Sequence, residues 1–184
     1  VTVLSSGSGW VFKTYNSIDK LLAEQNDVRR RLSKVVVHYT AVEPPSPSGI
    51  MKQLQSIDAY HREHNRWKGI GYHIAIHPSG LIVSLRPLRI SGAHCVGHNN
   101  DSVGVVMMTD AEHIDNPHLL TTLIHVLNGL VRRFGIPPQN VFLHRQLNDT
   151  VCPPIPQNWV KTLREQGYVN IGLTRIRKVG GDKQ

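Results

Sequence analysis

The chain has 184 residues, 40% of them hydrophobic, enough for one ordinary domain with its own core and too few for two comfortable ones. Its two cysteines, Cys95 and Cys152, argue against a disulfide framework, and no apolar run approaches the roughly 18 residues of a membrane helix. A formal net charge of +8 favours an anionic partner, yet the basic residues cluster only at Arg29–Arg31 and Arg175–Lys183, with no nucleic-acid-binding signature, so no specific nucleic-acid site is expected.

In chain order, residues 1–16 mix Gly, Ser and apolar residues without a clear period and suggest one edge strand. The opening VTVLSSGSGWVFKTY lacks the charged start and apolar stretch of a secretory signal. SIDKLLAEQNDVRRRL, with apolar residues at 18, 21, 22, 28 and 32, predicts a helix begun by Asn16 or Ser17. KVVVHYT reads as a buried strand, EPPSPSG as a loop, and Gly49 to about Asn65 as a helix. GYHIAIHPSGLIVSL predicts a hairpin turning at PSG, and SVGVVMM another strand.

NPHLLTTLIHVLNGLVRRFG is the clearest helix, with Pro117 at its start, two arginines near its end and Gly135 as its stop. VFLH is a brief strand, PQNWVKTLREQGY a last helix, and the residues after Tyr168 an irregular basic tail. Strands alternating with helices, plus one hairpin, imply an α/β domain with a central mixed β-sheet flanked by helices.

His38 ends one predicted strand and His144 ends another, at the carboxyl ends where open α/β sheets build their sites. The loop NDTVC could return Cys152 beside them, stiffened by Pro153 and Pro154. Two imidazoles and a thiolate suit Zn2+, and three protein ligands leave a fourth position open. With 11 histidines in the chain, that spacing alone is weak. His61 and His64 read as half-exposed helix residues without an HExxH pattern, and His113, His118 and His125 as surface groups. Cys95 reads as a small packed hydrophobe.

HYTA around His38, GYH at 71–73, GAHCVGHNNDSVGV at 92–105 and HRQLNDTVCP at 144–153 occur in one order. Together they resemble the zinc-dependent N-acetylmuramoyl-L-alanine amidases of the bacteriophage-lysozyme and peptidoglycan-recognition-protein type, over roughly residues 34–167. The resemblance implies a catalytic domain at 34–168, an N-terminal extension at 1–33 packed on it and a basic tail at 169–184. It also implies His38, His144 and Cys152 as zinc ligands and Tyr72 as the catalytic tyrosine. Thr150 falls where phage enzymes often carry lysine and many recognition proteins threonine, so it offers a neutral hydrogen bond instead of a charge. Thr40, His94 and Asn99 match substrate-groove positions.

On this resemblance the substrate is bacterial peptidoglycan within the anionic cell envelope, cut between N-acetylmuramic acid and L-alanine of the stem peptide. Tyr72 and Thr150 are then donors to the tetrahedral intermediate, and Tyr72 is the candidate to take the water's proton. If Tyr72 faces the metal, strand alternation turns His73 away, as a buried hydrogen-bonded residue. The expected role is a phage or prophage endolysin, held in the cytoplasm until lysis. The alternatives are a non-catalytic peptidoglycan-binding module, disfavoured by the retained cysteine, and a protein that restrains a phage RNA polymerase.

Overall fold

The structure, a computed structural model, describes residues 1–172. Seven strands among them form one mixed sheet in the order β1-β2-β5-β4-β6-β3-β7. β1 (Val3–Ser5) and β2 (Val11–Tyr15) form an antiparallel pair, and β2 pairs antiparallel with β5 (Ile82–Ser84). β4 (Ile74–Ile76) closes the antiparallel half on β5. The other half is parallel: β4 on β6 (Ser102–Met107), β6 on β3 (Lys34–Tyr39), and β3 on β7 (Val141–Leu143). The first residues thus supply two strands of the central sheet, where the composition had suggested one.

The helices are α1 (Ile18–Ala23), α2 (Ile50–Glu63), α3 (Pro117–Phe134), a single turn α4 (His144–Leu147) and α5 (Gln157–Glu165). α3 keeps its expected ends. The Asn116 side chain accepts from the backbone N–H groups of His118 and Leu119, and Gly135 stops the helix in the left-handed region at φ 63°. α1 is shorter than its periodicity predicts, because the chain leaves the helix after Ala23. Arg30 then reaches inward, where its guanidinium donates to the carbonyls of Leu88 (2.6 Å), Asn100 (3.1 Å) and Ser102 (2.9 Å). A residue read as part of a solvated basic cluster is thus an internal clamp.

Each face of the sheet has its own core. Val35 and Val37 of β3, with Val103, Val105 and Met107 of β6, pack with the buried faces of α1, α3 and α5. Val106 and Met108 join Ile50 and Leu54 of α2 and the half-buried Tyr72. Alternation along β3 turns His38 to the face opposite Val37, toward Tyr72, with which its ring makes contact at 5.1 Å between centroids. The chain after Tyr168 does not begin as an irregular tail: Val169–Gly172 forms a 3-10 turn and Ile171 is buried in the core. The remaining basic residues, 173–184, lie outside the described residues. No helix among the described residues is long and apolar enough to cross a membrane.

Candidate metal centre

The parallel pairing of β3 with β7 carries two histidines to one end of the sheet. His38 is the penultimate residue of β3, and His144 follows β7 as the first residue of α4. Their rings lie 4.5 Å apart between centroids. The loop after α4 returns Cys152, held where the Arg145 N–H donates to its carbonyl (2.7 Å) and its own N–H donates to Thr150 Oγ1 (3.3 Å). The Cys152–Pro153 bond is cis. One ligand atom each from His38, His144 and Cys152 lies within 4.8 Å of the others.

That donor set fits zinc. Bonds of about 2.0 Å to nitrogen and 2.3 Å to sulfur separate tetrahedral ligand atoms by roughly 3.3–3.8 Å, and His38 Nδ1 stands 3.9 Å from Cys152 Sγ. The second nitrogen of each imidazole is engaged elsewhere, as metal-binding histidines require. His144 Nε2 lies 3.1 Å from Asn148 Oδ1, and His38 Nε2 lies 2.9 Å from His94 Nδ1. Burial, reinforced by His94 and His144, drives the His38 pKa well below its ordinary value, and burial also lowers that of His144. Both rings are therefore in the neutral form that ligates metal. Burial pushes the Cys152 thiol up to about 11, so metal binding must displace its proton.

Tyr72 packs at the edge of this cluster, with His61 behind it at 5.7 Å between ring centroids. Burial, with the charge of Cys152 adding to it, raises the Tyr72 pKa above its ordinary value. A phenol in that state donates a hydrogen bond at neutral pH. Tyr72 and His73 both precede β4, so alternation within the strand does not separate them. His73 is nonetheless buried and hydrogen-bonded: Nδ1 accepts from the Gly104 N–H (3.0 Å), and Nε2 lies 2.9 Å from the Ile90 carbonyl.

Three expected substrate contacts have other work in the fold. Thr40 Oγ1 donates to the Thr109 carbonyl (3.2 Å) and accepts from the Thr109 N–H (3.1 Å), pinning the ends of β3 and β6 together. Asn99 Oδ1 accepts the N–H groups of His94 (2.9 Å) and Cys95 (3.0 Å), folding the loop on itself. His94 is only 7% exposed and stands behind His38, its Nδ1 2.9 Å from His38 Nε2. His61 also departs from expectation. It is buried, its Nδ1 accepts from the Gly71 N–H (3.0 Å), and Trp67 covers it at 4.8 Å. Its i, i+3 spacing with His64 gave no sign of that, because the contact is made to a loop outside the helix. Cys95 is buried as expected, with Sγ 3.2 Å from Asn148 Oδ1.

The sequence pattern of the family described as N-acetylmuramoyl-L-alanine amidase matches residues 28–154, which include every residue of this centre. The endolysin of Enterobacteria phage K11 is 30% identical over 139 residues, a match spanning 73% of this chain and 89% of that protein. Peptidoglycan-recognition protein LB of Drosophila melanogaster is 26% identical over 147 residues, 72% of this chain and 63% of its own length. Among solved structures, the N-acetylmuramoyl-L-alanine amidase LysC from Clostridium intestinale superposes with a TM-score of 0.63 at 26% identity, covering 74% of this chain and 85% of that one. Fold, centre and sequence pattern agree, and the chain belongs to the N-acetylmuramoyl-L-alanine amidase family.

Proposed function

We propose that this protein is a zinc-dependent peptidoglycan hydrolase that cleaves the amide between N-acetylmuramic acid and L-alanine of the stem peptide. The observation that supports this most is the convergence of His38, His144 and Cys152 within 4.8 Å, beside a half-buried tyrosine. A recognition module needs no such trio, whereas metal-assisted hydrolysis of an unstrained amide uses one. Zinc, when bound, supplies a Lewis acid that polarises the carbonyl and lowers the pKa of water.

The chain's own residues do the rest. His38, His144 and Cys152 would hold the ion at the end of the sheet. Tyr72, kept protonated, donates its O–H to the carbonyl oxygen as negative charge develops there. Thr150 is a second, neutral donor: its oxygen accepts the Cys152 N–H, which leaves its own hydrogen free. The net charge of +8 draws the protein toward an anionic envelope. Similarity to a phage endolysin supports the lytic role proposed for it, in a phage or prophage.

Resemblance to recognition proteins keeps a second reading in view, that of a peptidoglycan-binding module without catalysis. No observation favours the polymerase-binding alternative. Clearing of a purified peptidoglycan suspension separates hydrolysis from binding. The proposal expects turbidity to fall, to stop falling with a zinc chelator, and to fall again when zinc is restored. A constant turbidity with zinc-loaded, folded protein would favour the binding module.

A further inference from the structure

His94 occupies a socket for which the fold makes room at two other positions by omitting side chains. A Cβ on Gly92 would stand 2.4 Å from His94 Cδ2, and one on Gly104 would stand 2.6 Å from the same atom. Neither approach is physically tolerable, so both positions require hydrogen where any other residue has carbon. Gly104 lies within β6 and Gly92 in the loop before it, so the imidazole lies close against the backbone of both segments. The Asn99 side chain fixes the backbone of His94, and Ser102 Oγ lies 3.2 Å from its Nε2. Ser102 is fully buried.

The held ring meets His38 edge-on, at 4.9 Å between centroids and 89° between planes. This aims His94 Nδ1 at His38 Nε2. A neutral imidazole has one N–H and one lone pair. When His38 Nδ1, which faces Cys152, gives its lone pair to a metal, the proton must sit on Nε2. His94 Nδ1 is then the acceptor in place, and His94 passes its own N–H to Ser102.

We propose that His94 is a positioning residue of the metal centre: by accepting the Nε2–H of His38 it selects Nδ1 as the ligating atom and fixes the ring facing Cys152. This rests on the reading that His38, His144 and Cys152 hold zinc. It gives the stretch from Gly92 to Gly104 one task, a rigid seat behind a ligand.

The test compares zinc dissociation constants of the full chain by competition with a chromophoric chelator, and the visible spectra of the cobalt-substituted protein. His94→Leu removes the acceptor and is expected to weaken zinc binding by about 10–100-fold and to shift the cobalt bands. His94→Asn, whose Oδ1 stands where Nδ1 stood, is expected to recover most of the affinity. His94→Gln places its amide one carbon further out and is expected to remain weak. If the leucine variant does not fold, the Asn–Gln pair decides, and equal affinities for the two would overturn the proposal. Wild-type affinity and an unshifted spectrum in His94→Leu would overturn it while leaving the zinc reading intact. No zinc binding by the wild-type protein would overturn both.

Discussion

His38 Nδ1 and Cys152 Sγ face each other across 3.9 Å, although 114 residues separate them in the chain. The parallel register of β3 with β7 and the return of the loop after α4 create that approach. Cys152→Ser exchanges a thiolate for a hydroxyl that zinc binds far less well at neutral pH. The variant is expected to lose zinc and to lower cleavage by at least roughly 100-fold, the scale on which weakened metal sites lose activity. Its circular dichroism should match the wild type, because Cys152 sits in a loop outside both cores. Metal analysis and a digestion assay check this, and wild-type cleavage would remove Cys152 from the ligand set.

Tyr72→Phe keeps the ring that packs against His38 and deletes only the hydroxyl. Zinc content should be unchanged. The rate should fall by roughly 10²–10³-fold, the usual cost of one oxyanion donor. Steady-state kinetics on a soluble muropeptide measure it, and an unaltered kcat would take Tyr72 out of the mechanism.

Gly71→Ala tests how tightly the segment before β4 is seated. A Cβ there would stand 2.0 Å from the Ala93 carbonyl oxygen, and that carbonyl belongs to backbone tied to Gly71 by a 3.1 Å hydrogen bond. Neither strand of chain can give way cheaply. A loss of about 3 kcal/mol or more is expected, at the upper end of overpacking effects. Urea denaturation reads it, and a midpoint equal to the wild type would mean that the two segments are not so close.

Acid should destabilise the fold through its buried histidines. Burial lowers the pKa of His61 to about 4 and of His94 to about 3, and drives His38 and His73 well below their ordinary value. Unfolding returns each ring to a pKa near 6.5, so below that pH the unfolded chain binds more protons than the folded one. Stability is therefore complete above about pH 6.5 and is lost as pH falls through that value toward 4. Thermal melts of metal-free protein from pH 8 to 4 should show the decline beginning near 6.5. A flat melting temperature across that range would contradict the burial of these rings.

Much of the fold is written in local pattern. Asn116, Pro117 and Gly135 delimit α3 by capping chemistry that does not depend on the rest of the molecule. The hairpin of β4 and β5 turns at Gly80, whose φ of 88° a side chain would resist. The candidate ligands were legible too, though only when four motifs were read together, since spacing alone could not choose among 11 histidines. What stayed hidden depends on long-range contact. Arg30 and His94 sit in stretches that read as a surface helix and a groove loop, and only the assembled sheet shows what each one touches. His61 was hidden for the same reason.

The measurement that bears most directly on the central claim is mass spectrometry of purified peptidoglycan after incubation with the protein, with and without a zinc chelator. The account predicts free stem peptides beginning at L-alanine, absent after chelation and recovered when zinc is restored. Intact lactyl–alanine linkages from folded, zinc-loaded protein would contradict it.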